Sequence, residues 1–426
     1  MVLLEYSFKN FHSFGEEVYF SLQAKEEIRK NFPDNYISGN RDVLRSAVIV
    51  GENAGGKSNF MKSLSYLKSL FKENRFIESS LKHICDTYND GDETTIDKTA
   101  QSFSISALIE GCEYRYELEI DCLGIRHESF ETRADEQADM SPIFVLNRSE
   151  ENIALTDTVG QTQLKNRGEK PLIKLNYKLG VKSAASVVDE RISAALQSSE
   201  DAEHDGLNIT KFAILGVKPA VAFSKWMNDT LFVNVSPDGE YYSNSRQLTR
   251  EDLRILENKD QFLPILRIAD PSIVDFKLDS KAPFSGTFIL RKDAQGKRYE
   301  HDLISDSAGI RDYFPLAIQI FKIVYQNKVV FADEMDRALN PVLTDKIIAV
   351  INGSEHTGQF IFTTHNILHL NLENYMKEQI YFVTKNQETL QSELYSLADF
   401  HEIEYDSGVD LYELYLRGVL GGTLNE

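Results

Sequence analysis

The sequence predicts an α/β protein organised around a phosphate-binding loop, with antiparallel strands before a long insertion and a parallel sheet after it. Three observations carry that expectation. A short apolar run, Ala47 to Val50, ends in Gly51-Glu52-Asn53-Ala54-Gly55-Gly56-Lys57-Ser58 and leads into an amphipathic stretch. Residues 103–130 alternate apolar and polar side chains, as half-buried strands do. From residue 328, short apolar runs alternate with helical patterns, which implies a parallel sheet covered on both faces.

In chain order, Leu3 to Phe8 and Val18 to Leu22 read as two strands joined by the turn Lys9-Asn10-Phe11-His12-Ser13-Phe14. Lys57 to Phe71 reads as a helix with Phe60, Leu64, Leu67 and Phe71 on one face. Phe103 to Leu108, Tyr114 to Ile120 and Ile125 to Phe130 follow as strands, and a first lobe is assigned to residues 1–182. Val187 to Leu196 and Thr210 to Trp226 read as helices on either side of the acidic, loop-like residues 198–206. Thr249-Arg250-Glu251-Asp252 offers a helix-start box. Residues 183–270 are therefore expected to form an inserted, mainly helical arm. A second lobe, 271–426, holds helices over Ser307 to Val324 and Asn340 to Ile351, and buried strands over Lys328 to Ala332 and Gln359 to Phe362.

Composition narrows the partners. The chain has 426 residues, 42% of them hydrophobic, enough for at least one large core. No stretch approaches the roughly 20 apolar residues a membrane helix needs, and the N-terminus turns polar too soon for a secretory signal. Cys85, Cys112 and Cys122 show no metal or redox spacing, so reduced thiols and a cytoplasmic setting are expected. A net charge of −20 disfavours wrapping nucleic acid and favours a protein partner.

The chemistry is carried by four short segments. Gly51 to Ser58 matches G-x-x-x-x-G-K-[ST] in full, in the strand–loop–helix context that motif requires. Glycines let backbone N–H groups turn towards phosphate, and the helix start adds its positive dipole end. Residues Gly51, Glu52, Asn53, Ala54, Gly55, Gly56, Lys57, Ser58 and Asn59 are thus the candidate ATP cradle. Lys57 is expected at the β- and γ-phosphates and Ser58 at Mg²⁺. Val329-Val330-Phe331-Ala332-Asp333-Glu334 is an apolar strand ending in two acids at the edge where open α/β sheets bind ligands. Asp333 is the candidate metal residue and Glu334 the group that polarises the attacking water. Ser305-Asp306-Ser307-Ala308-Gly309-Ile310-Arg311 opens a helix and, read by itself, is an ordinary N-cap. His365, closing Thr363-Thr364-His365, is by itself more often structural than functional.

These segments, in this order, look like the head of an ABC-type ATPase. The opening Lys9-to-Phe14 turn and the long insertion narrow the resemblance to the SMC-, RecF- and OLD-like branch. It is closest to stand-alone bacterial ATPases of abortive-infection and anti-phage defence systems, and extends to the Leu416-Arg417-Gly418 tail. The resemblance implies a mixed-sheet lobe beside a parallel-sheet lobe, and two heads packed head to tail in a homodimer or higher oligomer. ATP would then lie between the P-loop of one copy and Ser307 and Gly309 of the other. It further implies that His365 senses the γ-phosphate, that Asp336 couples the two sites and that Gln101 stands near the magnesium-watching glutamine. The chain departs from the family at His12, where Arg is usual, in the apolar Ala308-Gly309-Ile310 signature, and at Asn340, where His is frequent.

The function expected is an ATPase subunit that controls a separate effector, a toxin or nuclease, in defence. The alternative is a DNA-repair ATPase that clamps duplex through a local basic strip such as Arg29, Lys30, Arg41 and Arg45. A nuclease within the chain is disfavoured, because only 61 residues (426 − 365) follow His365.

Overall fold

The computed structural model describes residues 1–24, 31–39, 41–72, 81–88, 99–121, 124–134, 138–148, 175–179, 206–234, 248–282, 284–335, 339–353, 355–403, 405 and 410–421. Two large sheets dominate them. The first has seven strands, every pairing antiparallel. Starting at one edge, Leu175–Leu179 is followed by Ser141–Arg148, Gly124–Arg133, Cys112–Asp121, Gln101–Ile109, Val2–Lys9 and Val18–Ser21. The second has six strands. Leu231–Asn234, Val329–Ala332, Gln359–Thr364, Ser46–Gly51 and Ile380–Lys385 run parallel, and Ser392–Ser396 closes the edge antiparallel. The mixed sheet is therefore the one that carries the P-loop.

Burial separates the two sheets as their chemistry requires. Gln101–Ile109 alternates between buried and half-buried positions, with Phe103, Ile105, Ala107 and Ile109 inward. Ser46–Gly51, Val329–Ala332 and Gln359–Thr364 are buried at every position. A parallel sheet covered by helices on both faces has no polar face to show. Successive side chains of these strands alternate between two cores. Ala47, Ile49, Val329, Phe331 and Ile361 join the core shared with the antiparallel sheet and the Lys57–Leu70 helix. Val48, Val50, Val330, Ala332, Phe360 and Phe362 face the core built with helices Ala308–Gln326 and Pro341–Asn352. Phe60, Leu64, Leu67 and Phe71 all lie in the first core.

The segment expected to be an arm packs, where described, into the same two cores as the sheets. Leu207, Ile209, Phe212, Phe223 and Trp226 pack in the first core, and Leu231–Asn234 is the edge strand of the parallel sheet. Helices Arg250–Glu257 and Lys259–Ala269 bury Ile255, Leu256, Phe262 and Leu266 in the second core. Thr249 caps the former, its hydroxyl accepting the Asp252 N–H at 3.1 Å in a reciprocal capping box. The single helix read over Thr210 to Trp226 is two, Asn208–Ile214 and Lys218–Lys225. Gly216 breaks it with φ +83°, and the Val217 N–H turns back to the Phe212 carbonyl at 3.0 Å. Val187 to Leu196, the acidic residues 198–205 and Asp336 lie outside the described residues. Among those described, no helix is long and apolar enough to cross a membrane.

Candidate functional site

The P-loop leaves the centre of the parallel sheet, and its glycines answer to three different constraints. A Cβ on Gly51 would collide with the Val383 carbonyl oxygen of the neighbouring strand. One on Gly55 would stand 3.1 Å from the same oxygen. Gly56 has φ +123°, where L side chains are strained, and its Cβ would meet Ser392 Oγ at 2.5 Å. Ala54 takes φ 62° in the same tight turn. The helix then begins at Lys57 with no side chain capping its first N–H groups, which leaves them for an anion. Asn59 Nδ2 donates to Ser13 Oγ at 2.9 Å and ties the helix start to the Lys9-to-Phe14 turn.

Lys57 is 5% exposed, and its Nζ donates to the carbonyls of Gly51 (2.7 Å) and Glu52 (2.9 Å). Burial pulls its pKa down from 10.5 to about 8, against the opposing pull of Asp333, Glu334 and Glu52. Strand register brings those acids near. Ala332 pairs with Phe362, and Thr364 with Val50, so Asp333, Thr363 and Gly51 leave the same sheet edge. Thr363 Oγ1 donates to Asp333 Oδ1 at 2.6 Å and accepts the Glu334 N–H at 2.8 Å. One hydroxyl thus fixes both acids. Glu334 sits at φ 47°, a left-handed conformation uncommon for a non-glycine residue, and strain of this kind concentrates at functional sites.

His365 spans the gap between base and lysine. Its Nδ1 lies 3.2 Å from Lys57 Nζ and its Nε2 3.3 Å from Glu334 Oε1. An ammonium only donates, so with Lys57 charged Nδ1 accepts and Nε2 carries the proton offered to Glu334. Lys57, His365 and Glu334 therefore form one continuous polar chain, backed by Asp333 and Thr363. Asp333 is 3% exposed, and Ser58 stands on the first helical turn beside Lys57. One carboxylate and one hydroxyl beside bound phosphates form a donor set that suits Mg²⁺, which retains most of its waters.

The other expected residues are placed elsewhere. Ser307 caps helix Ala308–Gln326, its Oγ accepting the Ile310 N–H at 3.4 Å, and Ser307 is exposed while Gly309 is half-buried. Asn340 caps Pro341–Asn352 in the same manner, accepting the Leu343 N–H at 2.8 Å. Gln101 is buried, with Nε2 donating to the Asn10 carbonyl at 2.9 Å. His12 Nε2 lies 3.1 Å from His83 Nδ1, and burial lowers the pKa of both, His83 to about 4. His12 itself therefore supplies no permanent positive charge. Within the imagined basic strip, Arg41 is buried against Glu113 at 3.1 Å and Arg45 bonds the His356 carbonyl, while Arg29 and Lys30 lie outside the described residues. Sequence reasoning missed Thr363 as an organising residue, and it missed Ser13 and Ser392 altogether. Only the Thr-Thr pair before His365 offered a signal.

The family described as "AAA domain, putative AbiEii toxin, Type IV TA system" matches residues 46–371. No curated protein matches the chain. Among solved structures, the chain is similar to an SMC head bound to the C-winged helix domain of ScpA (15% identity, 93% of this chain and 97% of that one, TM-score 0.48). It is similar to the SMC head domain from Thermotoga maritima (14%, 93% and 99%, TM-score 0.43). A third likeness is the Smc head domain with an extended coiled coil bound to the C-terminal domain of ScpA, derived from Pyrococcus furiosus (15%, 92% and 96%, TM-score 0.42).

Proposed function

The chain belongs to this AAA-domain family of the abortive-infection type and is a P-loop ATPase; from that premise we propose that it works as an ATP-gated pair of heads that controls a separate effector protein. The observation that carries the proposal is the Lys57–His365–Glu334 chain at the carboxyl edge of the parallel sheet. ATP binds along Gly51 to Asn59, with Lys57 turning from the loop carbonyls to the β- and γ-phosphates. Ser58 and Asp333 would hold Mg²⁺, which would supply charge neutralisation at the phosphates. Glu334, oriented by Thr363 and His365, takes the proton of the attacking water. His365 reports the γ-phosphate to both neighbours.

Ser307 and Gly309 complete the site of a second copy. The exposure of Ser307, its hydroxyl hydrogen and the dipole of a 19-residue helix suit a phosphate presented from outside the chain. ATP then stabilises the paired state, and hydrolysis relaxes it, which is population shift by a ligand with differential affinity. The family's description names a toxin–antitoxin context, and the acidic chain suits a protein partner, so the controlled species is a toxin or nuclease in trans within a cytoplasmic defence system. The test is the solution mass of the Glu334→Gln protein with and without ATP and Mg²⁺. Assembly to a dimer or larger species only with ATP is expected. A variant that binds ATP and stays monomeric would sink the gated-pair reading.

A further inference from the structure

The helix start bearing Ser307 is braced from behind by an ion triad centred on a buried arginine. Arg291, in strand Phe288–Lys292, is 6% exposed. Its Nε donates to Asp270 Oδ2 at 2.7 Å, and its Nη1 lies 2.8 Å from Asp306 Oδ2. Asp306 divides its carboxylate. Oδ2 is ion-paired with the guanidinium without a well-directed hydrogen bond, while Oδ1 accepts the backbone N–H of Ser307 at 2.8 Å. Asp270 does the same at the turn that leaves helix Lys259–Ala269, its Oδ1 accepting Ser272 N–H (2.9 Å) and Oγ–H (2.6 Å). Two turns far apart in sequence are thereby locked to one planar group.

We propose that Arg291 is a positioning residue for the ATP site that Ser307 and Gly309 complete on a second copy, acting through Asp306; this rests on the paired-head reading above. An ion cluster about a buried arginine is a poor device for stability alone, since apolar side chains of similar volume often do as well. A guanidinium does something they cannot: its rigid fork sets the relative position of two carboxylates. Because the Asp306 oxygen opposite the fork holds the Ser307 N–H, the γ-phosphate contact moves only when the strand carrying Arg291 moves. The three-stranded sheet of Ile273–Lys277, Phe288–Lys292 and Arg298–Asp302 becomes the platform on which the signature is aimed.

The experiment compares Arg291→Lys and Asp306→Asn with the unaltered protein in three activity and binding readouts, with thermal unfolding as a fourth measurement. The three readouts are binding of a fluorescent ATP analogue by dilute monomer, phosphate release, and phosphate release after mixing each variant with Lys57→Ala. Nucleotide affinity of the monomer is expected to stay within about twofold, because the P-loop is untouched. Turnover is expected to fall at least about tenfold, as misplacement of about 1 Å costs on the order of 10²-fold. Mixing with Lys57→Ala is expected to restore turnover above either variant alone. The mixed pair contains one site in which an intact P-loop meets an intact signature. Turnover within twofold of the unaltered protein overturns the inference, and so does joint loss of nucleotide binding and thermal stability in both variants, which makes the triad a structural brace. If the Glu334→Gln protein fails to assemble with ATP, the paired-head reading falls first and takes this inference with it.

Discussion

Two helix starts in this molecule are candidates to meet phosphate, and they differ in what encloses them. The one at Lys57 lies inside a walled edge: Val383 and Ser392 crowd the loop glycines, and His365, Glu334 and Asp333 close in from the next strands. The one at Ser307 stands exposed, with its hydroxyl capping its own helix and its backbone held from behind. Burial of Lys57 and Asp333 strengthens their charge–charge contact, while the exposed His365 and half-buried Glu334 keep the mouth open, so the first site is equipped to bind nucleotide within a single chain. Exposure leaves the second with nothing to act on until another surface covers it. Under the paired-head proposal, one copy binds the nucleotide and the other completes the site that hydrolyses it.

The sharpest way to break that division is at Glu334. Glu334→Gln is expected to lower turnover by about 10²- to 10⁴-fold while ATP binding persists, read by phosphate release and nucleotide retention. Next in size is Ser307→Ala. Loss of one preorganised donor to the γ-phosphate is expected to cost about 10²-fold in turnover, against only ~1 kcal/mol of stability from the lost cap. Monomer affinity for ATP should not change, and a loss equal to that of Lys57→Ala would merge the two sites and end the comparison. Gly56→Ala probes the enclosure. Strain at φ +123° and the approach to Ser392 Oγ are expected to cost ~1–3 kcal/mol in thermal unfolding, with Ser392→Gly recovering part of it.

The smallest effect is a pH dependence that only the enclosed site should show. Lys57 gives up its proton near pH 8 in the fold and near 10.5 when unfolded. ATP affinity, which needs the ammonium, should therefore fall as pH rises through 8. Between pH 8 and 10.5 the unfolded chain binds more protons, so this group's contribution to stability improves with pH over the same window. Affinity and stability moving in opposite directions, followed by titration calorimetry and thermal melts, identifies Lys57 as the source. Affinity flat from pH 7 to 9 would refute it.

Much of this was legible in the residues. The P-loop, the strand ending in Asp333-Glu334 and the Thr249 capping box depend on neighbours within a few positions, and each stands where the pattern put it. The break between Ile214 and Lys218 was missed: the apolar period ran through it and outweighed Gly216 and Pro219. Less was legible in the arm. Phe212, Phe223 and Trp226 have helical spacing whether they face solvent, a partner or the antiparallel sheet, and only packing chose the last.

By itself, then, the sequence determined the phosphate loop, the acidic strand end and the alternation that separates an antiparallel layer from a buried parallel one. These follow from backbone geometry and from side-chain period, which are local. Tertiary structure alone decided that Val383 and Ser392 press on Gly51 and Gly56, that Thr363 gathers two acids, and that Arg291 stands behind Ser307. The physical reason is strand order. The parallel sheet sets Ser46–Gly51 between Gln359–Thr364 and Ile380–Lys385, partners more than 300 residues away, and no local signal encodes which distant strands will meet.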